Sequence, residues 1–169
     1  LPYKPNFKPD NRHETQVKEL LDKHELTYVY QPNGSQQSPD FIVYKDNRVL
    51  AEIECKSSAN EAKPVYNSGL PKQGVIYIFS SKKPNATTFY FPEDIITQQK
   101  YSLYELLVKD LWAVVDSYRT RPDWQDDRGF DFYMRSMFTQ SGSASKTNYF
   151  THADRQMCEQ NVLLRFLND

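Results

Sequence analysis

The first half of the chain distributes apolar and polar residues in patterns that predict one helix followed by several strands. Apolar positions recur at helical spacing over residues 11–25, where Asn11 and Glu14 form a capping box. The Asp and Asn of 45–48 are expected to close a hairpin. Short apolar runs separated by turn-forming residues predict strands at 27–30, 41–44, 49–55, 74–79 and 87–91. The run 74–79 has the composition of a strand buried on both faces.

The second half of the chain predicts two helices separated by polar segments. Ser102 and Glu105 form a capping box, which predicts a helix that ends near residue 118. The apolar positions of this helix are Leu103, Leu107, Leu111, Val114 and Val115. Residues 130–138 are interpreted as a strand, with a helix as the alternative. A last helix is expected over 151–167. Helices and strands together predict an α/β fold.

Length and composition predict one globular domain. The chain has 169 residues, of which 38% are hydrophobic and 14% aromatic, and this argues against disorder. We expect a single domain over 1–169, with a core at 11–91 and with helices and loops at 92–169. The net charge of −1 does not by itself indicate a nucleic-acid-binding protein.

Cysteine usage and apolar runs bear on where the protein works. Cys55 and Cys158 lie in different segments, without the spacing of a zinc site or of a disulfide framework. No apolar run reaches the roughly 18 residues that a membrane helix needs, and no basic-then-apolar leader opens the chain. We therefore expect a cytoplasmic protein without a membrane partner.

Charged residues occupy two segments that otherwise have the composition of buried strands. Side chains at alternate positions of a strand share a face. One face after Arg48 therefore carries Leu50, Glu52, Glu54 and Lys56, and the other carries Val49, Ala51, Ile53 and Cys55. Asp40 lies at the end of the paired strand, so we expect it beside Glu54, with the helix that carries Glu14 packed next to them.

This arrangement of charges predicts a metal site. A buried carboxylate is costly unless it is paired or binds a cation, and two adjacent carboxylates repel each other. Oxygen ligands without clustered His or Cys suit Mg²⁺, with Mn²⁺ as a substitute. Lys56 is expected to face the metal-bound water and a substrate phosphate, where its charge assists the transition state. The expected chemistry is hydrolysis of a phosphodiester.

Pro39-Asp40, followed after 13 residues by Glu54-Cys55-Lys56, resembles the signature of the PD-(D/E)xK nuclease superfamily. That signature lies on a β-hairpin, preceded by a helix that often supplies a further Glu. The order of elements over about 11–91 is similar to the αβββα core of the superfamily. The resemblance implies a restriction-endonuclease-like fold, with a mixed central β-sheet flanked by helices. Within the superfamily, the compact single-domain form most resembles type II restriction endonucleases.

The resemblance implies a role for each residue of the signature. Asp40 and Glu54 correspond to metal ligands, Lys56 corresponds to the catalytic lysine, and the carbonyl of Cys55 is a candidate third ligand. Glu14 matches the upstream helical acid. The side chain of Cys55 is expected to be a small core residue.

Two further residues near the signature have competing interpretations. Glu52 is a candidate additional acid, but an exposed strand residue paired with Lys or Arg explains it equally well. His13 is expected on the surface of the first helical turn, with metal ligation as the alternative.

Polar residues beyond the signature are candidates for contact with DNA. Arginine matches both phosphate and guanine edges, and hydroxyl and amide side chains contact bases and backbone. The candidates are Ser57, Ser58, Asn60, Lys72, Gln73, Arg119, Arg121, Arg128, Arg135, Gln140, Ser143, Lys146 and Asn148. Solvated loops and ordinary surface charges explain the same residues without a ligand.

The expected function is therefore a Mg²⁺-dependent endonuclease that cuts double-stranded DNA at a short specific site. A homodimer is expected because a two-fold DNA site favours a two-fold protein. Alternatives within the superfamily are a structure-selective repair or junction nuclease and an RNA endonuclease. An alternative of another class is a non-catalytic nucleic-acid-binding module, although such a protein would have no need to keep charges on a strand face.

Overall fold

A computed structural model describes residues 1–3, 12–59, 63–67, 69–124, 128–139 and 154–167. The elements in chain order are α1 (Arg12–Lys23), β1 (Thr27–Tyr30), β2 (Phe41–Lys45), β3 (Arg48–Ser58), β4 (Val65–Tyr66), β5 (Ile76–Ser81), β6 (Ala86–Tyr90), α2 (Pro92–Ile95), α3 (Gln98–Arg119), β7 (Phe138–Thr139) and α4 (Arg155–Leu167). Within these ranges no helix combines the length and the apolar character needed to cross a membrane.

Five strands form one mixed sheet in the order β1-β2-β3-β5-β6. Three of the strand pairs are antiparallel, whereas β3 and β5 are parallel, with Ile53 opposite Ile76 and Lys56 opposite Phe79. The short strands β4 and β7 form a separate two-stranded sheet. The predicted α/β class and the mixed central sheet flanked by helices are confirmed.

The β2–β3 hairpin carries the signature residues, and its turn has the predicted chemistry. Asp46 and Asn47 adopt φ angles of 50° and 61°, the left-handed conformation that a tight two-residue hairpin turn requires. The register shifts beside Val43 and Tyr44, which gives β3 one extra residue. Leu50 consequently packs against the apolar cluster that contains Ile53. The prediction that Leu50 shares the charged face is therefore wrong.

Two apolar clusters cover the sheet and hold β3 and β5 in place. The first joins α1 to the strands and consists of Val17, Leu21, Phe41, Val43, Ile53, Cys55, Ile76, Phe91 and Val162. The second consists of Tyr66, Val75, Tyr77, Phe79, Tyr90 and Cys158. Because neighbouring residues of β5 enter different clusters, this strand is buried on both faces, as its composition predicts.

The helix α3 begins one turn earlier than predicted. Thr97 is its N-cap, and the threonine hydroxyl accepts a hydrogen bond from the amide of Lys100 at 3.4 Å. Ser102 lies inside the helix, so the predicted capping box of Ser102 with Glu105 is wrong. The helix spans 22 residues and buries none of them.

Other boundaries also differ from the predictions. Of the predicted strand over 130–138, only Phe138 is in a strand, because its neighbours find no partner strand. His13 is fully buried and its Nε2 lies 3.2 Å from the carbonyl oxygen of Ile78, so its expected surface position is wrong. Asn11 and the segment 151–153 lie outside the described residues.

The first apolar cluster should dominate the stability of the fold. Phe41 is fully buried, with the rings of Tyr28 and Tyr30 centred 5.8 and 5.1 Å from its own. The substitution Phe41→Ala should lower the free energy of unfolding by about 3–5 kcal/mol in urea denaturation, because it leaves a cavity. Val49→Ala, at a position 57% exposed, should change it by less than about 0.5 kcal/mol. Equal changes in the two variants would contradict this description of the core.

Candidate active site

Asp40 is anchored where β2 begins, between two neighbouring strands. Its amide donates to the carbonyl of Ile53 at 2.9 Å, and its own carbonyl accepts from the amide of Gln31 at 2.7 Å. Its carboxylate oxygen Oδ2 accepts from the amide of Cys55 at 2.7 Å. The backbone therefore fixes both the position and the direction of this side chain.

Pro39 explains why a side chain, and not the backbone, meets Cys55. Continuing the register that sets Phe41 opposite Ile53 brings Pro39 opposite Cys55. Proline has no amide hydrogen, so it cannot donate to the Cys55 carbonyl and continue the ladder. The β2–β3 ladder therefore ends at this point. The Cys55 carbonyl is directed to the side where Asp40 lies, because the amide and the carbonyl of a strand residue point to the same side.

Glu54 and Lys56 lie on the same face of β3, two residues apart, as predicted. Glu54 is only 8% exposed, and its Oε1 accepts a hydrogen bond from the Lys56 ammonium at 2.6 Å. Its second oxygen, Oε2, is buried and has no hydrogen-bond partner among the described residues. Burying a carboxylate oxygen without a partner costs free energy, and such an oxygen is a suitable ligand for a cation.

The two acids repel each other within this buried setting. Burial raises the pKa of Asp40 from 3.8 to about 7, and the nearby charges of Glu54 and Glu14 act in the same direction. The Cys55 amide and the Lys56 ammonium oppose the shift but do not cancel it. The single positive charge of Lys56 is therefore not enough to offset the burial of Asp40 and its repulsion by Glu54.

The signature residues line one open cleft of about 520 Å³. Asp40, Glu54 and Lys56 lie in it together with Cys55 and Glu14. The loops 35–38 and 69–72 form two of its walls. The structure therefore brings the predicted catalytic residues and the upstream acid into one solvent-accessible space.

Tyr30 and Gln31 hold Glu14 in the cleft, although no sequence motif singles them out. The Tyr30 hydroxyl donates to Glu14 Oε2 at 2.5 Å, and the Gln31 side-chain amide donates to the same oxygen at 3.4 Å and to the Tyr30 hydroxyl at 2.9 Å. Because the Gln31 backbone also contacts Asp40, this residue links the helical acid to the strand acid. Gln31 has a left-handed φ of 48°, a feature that is visible only in the structure.

The donor set fits a hard divalent cation. No group of three or more His, Cys, Asp or Glu side chains in the described ranges converges on a common metal position. Magnesium typically takes only one or two protein carboxylates and keeps several waters. Asp40, the unpartnered oxygen of Glu54 and the Cys55 carbonyl meet that lower requirement. The thiol of Cys55 does not take part, because burial raises its pKa and keeps it protonated in the core.

Two of the candidate DNA-contact residues line the cleft. The Lys72 ammonium donates to the carbonyl of Ser38 at 2.8 Å, which ties the two wall loops together. Arg135 reaches the cleft from the segment before β7, and its Nε donates to the carbonyl of Asn67. Both cations are therefore part of the cleft wall.

The remaining candidates lie elsewhere. Glu52 and Gln73 line a separate depression beside Arg165. Ser57, Ser58, Arg119, Arg121 and Arg128 do not line the cleft. Arg119 and Arg121 pair with acids close to them in sequence, at 3.4 and 2.9 Å. Asn60, Gln140, Ser143, Lys146 and Asn148 lie outside the described residues.

Comparisons of the chain with known proteins found no match among family models, curated proteins or solved structures. The features that indicate a function for this chain are therefore its signature residues and the geometry of the cleft that they line.

The repulsion between the acids predicts that the metal-free protein loses stability as the pH rises. Its raised pKa, from 3.8 to about 7, means that Asp40 binds its proton more tightly in the folded than in the unfolded chain. The contribution of this group is complete in acid and is lost as the pH rises through about 7. Asp40→Asn should therefore stabilise the protein in EDTA by about 1–3 kcal/mol near pH 8 and by far less near pH 4.

Urea denaturation at both pH values checks this prediction. Glu19→Gln, the same chemical change at an exposed position of α1, is the control and should have little effect at either pH. If Asp40→Asn destabilises the metal-free protein near pH 8, the carboxylate pair is not repulsive.

Proposed function

We propose that the protein is a metal-dependent endonuclease of the PD-(D/E)xK type, which hydrolyses phosphodiester bonds in double-stranded DNA at a short specific site. The observation that carries the proposal is the unpartnered, buried oxygen of Glu54, in one cleft with Asp40 and Lys56. Most buried carboxylate oxygens in proteins have a hydrogen-bond partner, so this oxygen is suited to bind a cation.

Asp40, Glu54 and the Cys55 carbonyl are the groups that would hold Mg²⁺ or Mn²⁺. The bound cation would supply an activated water and would neutralise charge on the scissile phosphate. The protein's own contribution is to keep the two carboxylates fixed. The Cys55 amide fixes the Asp40 carboxylate at 2.7 Å, and the anchored backbone of β3 fixes Glu54.

Lys56 is the group that serves the reacting phosphate. Its ammonium lies 2.6 Å from Glu54 Oε1 and is partly exposed, with 26% of the side chain accessible from the cleft side. From this position its ammonium can donate a hydrogen bond to a phosphate oxygen or to the attacking water. Positive charge held at such a place lowers the barrier by stabilising the negative charge that develops in the transition state.

The cations around the cleft favour a nucleic acid over a small phosphodiester. Lys72 and Arg135 both line the cleft, and the Lys72 ammonium contacts only the neutral carbonyl of Ser38 in the hydrogen bond that joins the wall loops. Cations spaced around an acidic metal site suit a substrate that carries several phosphates. Duplex DNA is the proposed substrate. A junction nuclease and an RNA endonuclease are the alternatives, and each would use the same catalytic groups.

Removal of the lysine should abolish cleavage. Lys56→Ala is expected to reduce the cutting of unmodified phage DNA in Mg²⁺ at least about 100-fold, because a transition-state contact is lost. DNA binding and the fold should be nearly unchanged. Cleavage is followed on gels, binding by electrophoretic mobility shift, and the fold by circular dichroism.

Lys45→Ala is the matched control, because Lys45 is exposed at the hairpin turn on the adjacent strand. The wild type and this control should produce discrete fragments with Mg²⁺ and none with EDTA. Full activity of Lys56→Ala would reject the assigned role. A smear would favour a nonspecific or structure-selective nuclease. If duplex DNA stays uncut, it is not the substrate, and the same assay is repeated with RNA and with modified DNA.

A further inference from the structure

A second pocket lies beside the cleft, between the β4–β7 sheet and the start of α3. It has a volume of about 250 Å³ and is here called the aromatic pocket; the residues that define it are Tyr66, Leu70, Ile95, Lys100, Tyr104 and Phe138. Tyr66 and Phe138 lie opposite each other in the β4–β7 pair. The ring centre of Tyr104 lies 5.4 Å from that of Phe138. Three aromatic rings from three elements of the fold thus line one small space.

The aromatic pocket and the cleft share a wall. Tyr66, Leu70 and Pro71 line both spaces. The ring centre of Tyr66 also lies 5.5 Å from that of Tyr77, which lines the cleft and is the partner of Glu54 in the β3–β5 pairing. The wall between the two spaces is therefore only as thick as these side chains. A chain molecule in the cleft can place one of its groups in the aromatic pocket.

Two polar groups at the aromatic pocket are available to a ligand. The Lys100 ammonium lies 5.7 Å from the ring centre of Tyr104. Within the described part of the chain, neither this ammonium nor the Tyr104 hydroxyl forms a hydrogen bond. Mostly apolar walls with a few polar groups are typical of pockets that bind small organic groups. Aromatic walls with one ammonium suit a flat ring that has polar edges.

We propose that the aromatic pocket binds one unstacked base of the nucleic acid that occupies the cleft. The inference rests on the proposed function, since it takes a nucleic acid as the occupant of the cleft. Every nucleobase has a flat face that stacks on aromatic side chains, and the Lys100 ammonium suits the phosphate that adjoins the base. An apolar side chain of a partner protein would fill the pocket but would leave this ammonium without a partner.

A base pocket beside the cleft predicts which substrates bind most tightly. A paired base has to leave the helical stack before it can enter the pocket. This step costs free energy, and the cost is smallest for a base that is mismatched or already unpaired. The protein should therefore prefer DNA that contains an unpaired base over fully paired DNA.

Binding of three duplexes that share one paired sequence tests the inference. The first is fully paired, the second has one extra unpaired adenine in its middle, and the third has an abasic sugar at the place of that adenine. The Lys56→Ala protein, which should bind DNA in Mg²⁺ without cutting it, should bind the second duplex at least about fivefold more tightly than the third in mobility-shift titrations. The second and third duplexes differ only in the base, so equal affinities would overturn the inference.

Variants of Tyr104 assign the effect to the aromatic pocket. Added to Lys56→Ala, Tyr104→Ala should abolish the preference for the unpaired adenine and leave the affinity for the paired duplex unchanged. Tyr104→Phe retains the ring and should retain the preference. Tyr118→Ala is the matched control, since Tyr118 is 52% exposed on the same helix and lines neither space. A preference that survives Tyr104→Ala would overturn the assignment to this pocket.

The outcomes separate this inference from the proposed function. Base-dependent binding by a protein whose wild type does not cut DNA would support the pocket and reject only the nuclease activity. Cutting of phage DNA by the wild type, without base-dependent binding, would reject only the pocket.

Discussion

The cleft is organised around two carboxylates, those of Asp40 and Glu54, that repel each other at the point where the β2–β3 ladder ends. Pro39 ends the backbone pairing of β2 with β3. The Asp40 carboxylate accepts a hydrogen bond from the Cys55 amide at 2.7 Å in place of a backbone carbonyl. This contact brings one acid next to another that is already buried on β3. The result is locally unfavourable, since the pKa of Asp40 rises to about 7. A fold that maintains such a contact needs stabilisation from elsewhere.

That stabilisation comes from the surrounding core and from a small polar network. The first apolar cluster and the pairing with β2 and β5 fix β3, which holds the backbone of Glu54 beside Asp40. Gln31 adopts a left-handed φ of 48°, a conformation that costs roughly 1 kcal/mol or more for a residue other than glycine. Its backbone and side-chain hydrogen bonds offset this cost and connect the acid of α1 to the acid of β2. Preorganisation of the cleft is thus distributed over three elements.

The sequence predicted the strands β2 and β3 well because their geometry is local. A period of two places Glu54 and Lys56 on one face, and Asp-Asn specifies the turn that pairs β2 with β3. The bulge that displaces Leu50 has no comparable local signal. The same limit applies to α3, where Thr97 and Ser102 are both acceptable caps and where tertiary contacts decide between them. The sequence grouped Val115 with Leu103, Leu107, Leu111 and Val114 as the apolar positions of α3, and only the fold shows that Val115 is half-buried while the other four are exposed.

The central claim is that Asp40 and Glu54 form a cation site, and direct binding of Mn²⁺ tests it without any substrate. Electron paramagnetic resonance of free Mn²⁺ should reveal a site in the wild type and in Glu52→Gln, because Glu52 lines a different depression. Asp40→Asn and Glu54→Gln should each abolish or strongly weaken that site, while circular dichroism shows the fold retained. Undiminished binding in either of these two variants, or no binding by the wild type, would contradict the account.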